Sequence, residues 1–321
     1  MQLERIKAPV QNDFQAVNDL ILNALHSKAT IINDLGNYIV KSGGKRLRPL
    51  VVLLVSQACG YRNTDHIPLA AVIEFIHTAT LLHDDVVDNA HSRRDQKTAN
   101  SVWGNQAAVL VGDFLYSKAL QMLVKLNNPR ITEVIANTTT IMAEGEALQL
   151  LERHNPKTTE EDYLNIIRCK TAKLFEAAAQ SSAILSNADL ETQTQMAQYG
   201  LHLGTAFQLI DDLLDYQDSS KTGKTAGNDL IEGKTTLPLI YVLQNGNKEE
   251  TQIIEEAIRN GESQNFLIIQ EIIESRGALE YTYQKAQAEI KAAQKALNQL
   301  KPSSYRDAAY NLSEFAIQRD Y

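Results

Sequence analysis

The sequence predicts an all-α protein. Three observations carry that expectation. Apolar residues recur at spacings of three and four through most of the chain, no segment shows convincing strand alternation, and the seven prolines sit mainly at segment edges. No linker, long internal repeat or low-complexity tract is visible, so one domain over residues 1–321 is expected. That is long against the usual ~100–200 residues of a domain, but large helical domains reach it.

The elements follow in order. Pro9–His26 repeats apolar residues at Phe14, Val17, Leu20, Ile21, Ala24 and Leu25, and Ile31–Val40 is a second amphipathic segment. Ser42, Gly43 and Gly44 break the pattern, and Lys45, Arg46 and Arg48 precede a helix beginning near Pro49, a good first-turn proline. Asp65–Asn89 reads as one long helix and His91–Thr98 as a polar, basic stretch. Asn105–Leu126, preceded by the sole tryptophan Trp103, and Ile131–Leu151 are further helices. Thr158 and Glu161 have the spacing of a capping box that opens a helix from Tyr163 to Ser186. Leu190–Tyr216 is the next helix, followed by a glycine-punctuated loop with Lys221, Lys224 and Lys234. Lys248–Tyr321 is helical, with a polar, lysine- and glutamine-rich outer face and no recognisable chemistry.

Composition excludes several classes. Apolar residues make up 44% and charged residues 22%, ordinary for a globular chain. A net charge of −8 argues against a nucleic-acid binder, which would present a basic face, yet leaves room for local phosphate sites. Two cysteines, Cys59 and Cys169, do not make a disulfide scaffold and read as buried, reduced thiols of a cytoplasmic protein. The opening M-Q-L-E-R-I-K lacks an apolar signal core. The longest apolar run, Leu50–Val55, is far short of the ~20 residues of a membrane span, so no transmembrane segment is expected.

Chemistry concentrates between His77 and Arg94. Asp84, Asp85 and Asp88 end an apolar stretch, with Arg93 and Arg94 just beyond, and the same D-D-x-x-D spacing returns at Asp211, Asp212 and Asp215. Residues four apart share a helix face, so Asp84 projects with Asp88 and Asp211 with Asp215, while Asp85 and Asp212 point further round as supporting groups. The faces continue back to His77 and to Gln208. One such trio is equally well a solvated acidic helix end; two, each after an apolar stretch, point to hard-oxygen binding of Mg²⁺, which prefers a few carboxylates plus substrate phosphates. Lys45, Arg46 and Arg48 in a glycine-opened turn before a helix read either as a phosphate cradle or as an ordinary basic loop. Lys170, beside Thr171, is in isolation a solvated lysine. The loop after Tyr216 is not a Walker loop, because neither Gly223 nor Gly227–Lys234 satisfies G-x-x-x-x-G-K-[ST]; it reads as a lid bringing lysines over phosphates.

G-G-K-R-L-R-P, D-D-x-x-D with R-R, K-T, F-Q-L-I-D-D-L-L-D and G-K-T-A-G-N-D-L-I-E-G-K-T-T-L-P-L-I occur in this order. Together they resemble the trans-prenyl diphosphate synthase family along the whole chain, in particular members that make long quinone side chains. One departure is Asp95, where many members have glycine after the arginine pair. The resemblance implies an all-α bundle around a deep central cavity, working as a homodimer. It implies that Lys45, Arg48, His77 and Arg94 hold isopentenyl diphosphate. It further implies that Asp84, Asp88 and Asp211 bind Mg²⁺, about three ions per site, supported by Asp85, Asp212 and Asp215. Arg93, Lys170, Thr171, Gln208, Lys224 and Lys234 would contact the allylic diphosphate.

The chemistry so implied is ionisation of the allylic diphosphate, attack of the isopentenyl double bond on the allylic cation, and loss of a proton to the departing diphosphate. No nucleophilic serine or cysteine is needed. Product length should depend on what plugs the cavity below the first trio. Ala79 and Thr80, one turn before Asp84, are small where short-chain relatives carry an aromatic stop, so a long product is expected. Ile76, Met122, Leu123 and Ile135 are deeper wall candidates or plain core. A short-chain farnesyl or geranylgeranyl synthase, a terpene cyclase and a non-catalytic partner subunit compete with this reading. The small pair, the Lys45–Arg48 turn and the two intact trios respectively speak against them.

Overall fold

The computed structural model describes residues 3–41, 44–93, 96–217, 227–261 and 266–318. Among them the fold is all-α, and the single extended pairing is a two-residue hairpin, Ser92–Arg93 against Gln96–Lys97. That hairpin lies within His91–Thr98, the stretch read as polar and basic. Arg94 and Asp95 lie outside the described residues.

The chain forms two compact units. The first comprises Met1–Thr139, Leu174–Ala197 and Leu297–Leu312. Its centre is the helix Leu47–Ala58, in which Leu50 to Val55 are completely buried. A helix apolar all round must be surrounded; Gln11–Ala24 and His66–Val87 pack against it, and Ser182 Oγ donates to its Val52 carbonyl at 3.2 Å. The helix starts at Leu47 rather than near Pro49, because Arg46 adopts a left-handed backbone (φ 48°) and turns the chain into it. Arg46 itself hydrogen-bonds Asn18 and approaches Glu74.

Asn105–Leu126 packs along His66–Val87. Over an 18-residue stretch of this 22-residue helix the mean hydropathy is 1.4, long and apolar enough by length and composition to cross a membrane, with 39% of that stretch buried. It passes by length and composition alone, and Asp113 and Lys118 interrupt the apolar run.

The second unit comprises Thr140–Lys173, Gln198–Ala296 and Ser313–Tyr321. Its core gathers Tyr216, Leu230, Leu239, Val242, Ile254, Ile258, Ile269 and Ile273. Two sequence expectations are corrected here. The capping box is Thr159 with Asp162, not Thr158 with Glu161, because Thr158 Oγ1 is engaged by Glu152 Oε2 and the Asn155 carbonyl, both at 2.9 Å. The helix expected from Tyr163 to Ser186 is Glu160–Ile167, then a π turn over Arg168–Ala172, then Lys173–Leu185. Cys59 and Cys169 are free thiols but half-buried rather than buried; burial pushes the Cys59 thiol up to about 12.

Candidate active site

Each aspartate trio stands at the C-terminal end of its helix. His66–Val87 closes with a Schellman turn: Asn89 is left-handed (φ 50°), and Ala90 N–H reaches the Asp85 carbonyl at 2.9 Å. Leu190–Leu214 carries Asp211 and Asp212 in its last turn, with Asp215 just beyond. A helix C-terminus bears partial negative charge, so carboxylates there are electrostatically unfavourable until a cation arrives.

In the first unit the middle aspartate is a support, as its angular position predicts. Asp85 is buried and accepts from Arg93 Nε (3.0 Å) and Nη2 (2.8 Å) on the hairpin. Asp84 and Asp88 are half-exposed. Tyr116, from Asn105–Leu126, faces this end; burial and the Asp84 charge raise its phenol. Arg48 and His77 meet at 3.2 Å, and the guanidinium lies 4.3 Å above the Phe175 ring. Lys45 lies half-buried just ahead of that helix. The structure thus joins Arg48 to His77 and Arg93 to Asp85.

In the second unit a hydrogen-bonded relay links four side chains. Thr171 Oγ1 donates to Gln208 Oε1 (2.9 Å), Gln208 Nε2 to Asp212 Oδ1 (2.6 Å), and Tyr163 OH to Asp212 Oδ2 (2.6 Å). Asp212 is buried, and burial followed by the Asp229 charge drives its carboxyl well above the ordinary range. Asp215 accepts from the backbone N–H groups of Asn228 (3.2 Å) and Asp229 (3.0 Å), and burial plus the Asp229 charge push it up to about 7. Lys234 pairs with Glu232 and, at 3.6 Å, with Asp229; Lys170 pairs with Glu146 at 2.5 Å. Lys170, Thr171, Gln208, Asp212, Asp229 and Lys234 line one pocket of this unit, with a cavity volume of about 100 Å³. Lys221 and Lys224 lie outside the described residues.

Asp229, Tyr163 and Glu146 were missed by the sequence reading. Asp229 had a signal, standing in the quoted G-N-D of the lysine loop; the other two had none beyond helical spacing. Among the described residues no three His, Cys, Asp or Glu side chains converge as a ready-made metal centre. The donor set nevertheless fits a hard divalent cation. Asp211, Asp212, Asp215 and Asp229 crowd like charges at one helix end, the condition a cation relieves, and Mg²⁺ draws most of its ligands from water and phosphate.

The π turn is held closely. A Cβ at Gly145 would lie 2.7 Å from Cys169 Cβ and 2.9 Å from Lys170 N. Gly145→Ala is therefore expected to displace the backbone carrying Lys170, lowering the melting temperature and weakening diphosphate binding. Thermal unfolding and calorimetric titration with inorganic diphosphate check it.

An all-α chain with two carboxylate-rich helix ends and arginine, lysine and threonine side chains beside them is the framework of a diphosphate-handling transferase. The chain belongs to the polyprenyl synthetase family, whose model matches residues 29–275. It is 47% identical to the octaprenyl diphosphate synthase of Escherichia coli K12, over the full length of both chains. Among solved structures it resembles a polyprenyl synthase from Caulobacter crescentus CB15, complexed with calcium and isoprenyl diphosphate. That match has a TM-score of 0.96 and 38% identity and covers 100% of this chain and 98% of that one. A decaprenyl diphosphate synthase from Rhodobacter capsulatus matches with a TM-score of 0.94 and 37% identity, over 100% of both chains.

Proposed function

We propose that this chain is a long-chain trans-polyprenyl diphosphate synthase. It condenses isopentenyl diphosphate repeatedly onto an allylic diphosphate such as farnesyl diphosphate, forming an octaprenyl chain for a quinone. The observation that carries the reading is the pair of intact trios at helix C-termini, each with basic side chains in its own unit. The whole chain acts as one catalytic domain.

Asp84, Asp88 and Asp211 would hold Mg²⁺, with Asp85, Asp212 and Asp215 in support. Bound metal would supply Lewis acidity toward the diphosphate leaving group. Lys170, Thr171, Gln208 and Lys234 orient the allylic diphosphate, and Lys45, Arg48 and His77 hold that of isopentenyl diphosphate. Arg93, fixed by Asp85, and Lys224 would contact the allylic diphosphate, and Arg94 would join Lys45, Arg48 and His77 on that of isopentenyl diphosphate. Catalysis is then positioning and charge neutralisation, with no covalent enzyme intermediate. Below the first trio, Ile76, Ala79, Leu123 and Ile135 are buried while Thr80 and Met122 are half-buried; these would line the growing chain.

A homodimer is part of the proposal. Leu110, Leu120 and Val124 on Asn105–Leu126 are 66%, 59% and 76% exposed, an apolar row that a second copy would cover. Two free thiols agree with a cytoplasmic setting.

The test is incubation with labelled isopentenyl diphosphate, farnesyl diphosphate and Mg²⁺, then chromatography of the dephosphorylated products. An octaprenyl alcohol is expected. EDTA is expected to abolish turnover, and added Mg²⁺ to restore it. No elongation at all would sink the enzyme reading. A product stopping at farnesyl or geranylgeranyl length would favour the short-chain alternative.

A further inference from the structure

Glu289 stands on the helix Ala278–Ala296, in the C-terminal stretch where the sequence shows no chemistry. Its carboxylate is mostly buried and divides its two oxygens between two elements. Arg168 Nη2 donates to Oε1 at 3.3 Å, and His202 Nδ1 lies 2.5 Å from Oε2. Burial would raise this carboxyl; the His202 hydrogen bond and the His202 and Arg168 charges outweigh it and hold it below the ordinary range.

The two partners matter more than the pair energies. Arg168 is the first residue of the π turn Arg168–Ala172, which carries Lys170 and Thr171 into the pocket. His202 belongs to the second aspartate helix, six residues before Gln208. The turn and that helix are joined a second time, by Thr171 Oγ1 on Gln208 Oε1 at 2.9 Å. On its other side the turn rests on Gly145, and Lys170 pairs with Glu146. π turns are rare and frequent at functional sites, because the extra residue rotates the following side chains relative to an α register. Such a turn persists only where its surroundings hold it.

We propose that Glu289 is a positioning residue: by joining Arg168 to His202 it holds the π register that aims Lys170 and Thr171 at the allylic diphosphate. The inference rests on the proposed roles of those two residues and adds a third-party support that touches no substrate.

Four variants of the full-length protein test it: Glu289→Ala, Glu289→Gln, Arg168→Ala and the double Arg168→Ala/Glu289→Ala. Glu289→Ala is expected to raise the KM for farnesyl diphosphate roughly tenfold or more while the KM for isopentenyl diphosphate moves by less than about twofold, since a small displacement of a positioning group is felt steeply. Glu289→Gln keeps the shape and part of the hydrogen bonding and should restore much of the loss. The double variant should be no worse than the single ones, because both remove one clamp. Hydrogen–deuterium exchange across Arg168–Ala172 should quicken in Glu289→Ala. The proposal is overturned if Glu289→Ala only lowers the melting temperature, if both KM values rise together, or if exchange in the turn is unchanged. The exchange measurement does not depend on turnover. A wild type that elongates nothing would count against the proposed function, while the exchange result would still decide the clamp.

Discussion

Replacing Asp84 with alanine is expected to lower kcat/KM by about 10³-fold or more, the size of losing one preorganised electrostatic contact at a reacting centre or one hard ligand of its metal. The melting temperature should stay level or rise. Asp84 is half-exposed in the last turn of His66–Val87, where a negative charge opposes the helix dipole by about 0.3–1 kcal/mol. Asp85→Ala should behave differently. Asp85 is 5% exposed and its carboxylate takes two hydrogen bonds from Arg93, so its removal loosens the hairpin and costs about 1–3 kcal/mol of stability alongside activity. Thermal melts and steady-state kinetics on the two variants separate the roles. If Asp84→Ala lost stability and activity in step, the carboxylate would be a structural prop, and the metal reading would lose its main support.

The contrast between neighbours was legible in the sequence, because helical geometry alone puts positions four apart on one face and the intervening aspartate elsewhere. Asp85 and Asp212 are both buried and both held by donors, as that geometry requires. The all-α class was legible for the same reason: period and length survive in one dimension. What stayed hidden depends on partners distant in the chain. Tyr163 acquires meaning through Asp212, and Glu289 through Arg168 and His202, at separations of 49, 121 and 87 residues. The π turn leaves no propensity signal, since its five residues, R-C-K-T-A, read as ordinary helix. The capping box slipped by one position because two threonines adjoin. Only the tertiary hold of Glu152 on Thr158 decides between them.

Enlarging the floor beneath the first trio should change the product rather than the chemistry, and here the structure separates two substitutions that the sequence treats alike. Thr80→Phe is expected to shorten the main product by at least one isoprene unit, with kcat for the first condensation little altered. Thr80 is half-buried, and its hydroxyl serves only a local bond to the His77 carbonyl at 2.8 Å, so a phenyl ring has somewhere to go at modest cost. Ala79 has no exposed surface, and Ala79→Phe must force a ring into filled space, at about 1–3 kcal/mol of stability or more. Its product should also shorten, but with a lower melting temperature and reduced yield of folded enzyme. Chromatography of dephosphorylated products, read beside thermal melts, makes the distinction. If Thr80→Phe leaves chain length untouched while Ala79→Phe merely destabilises, the growing chain does not pass these residues. The long product would then need a different wall.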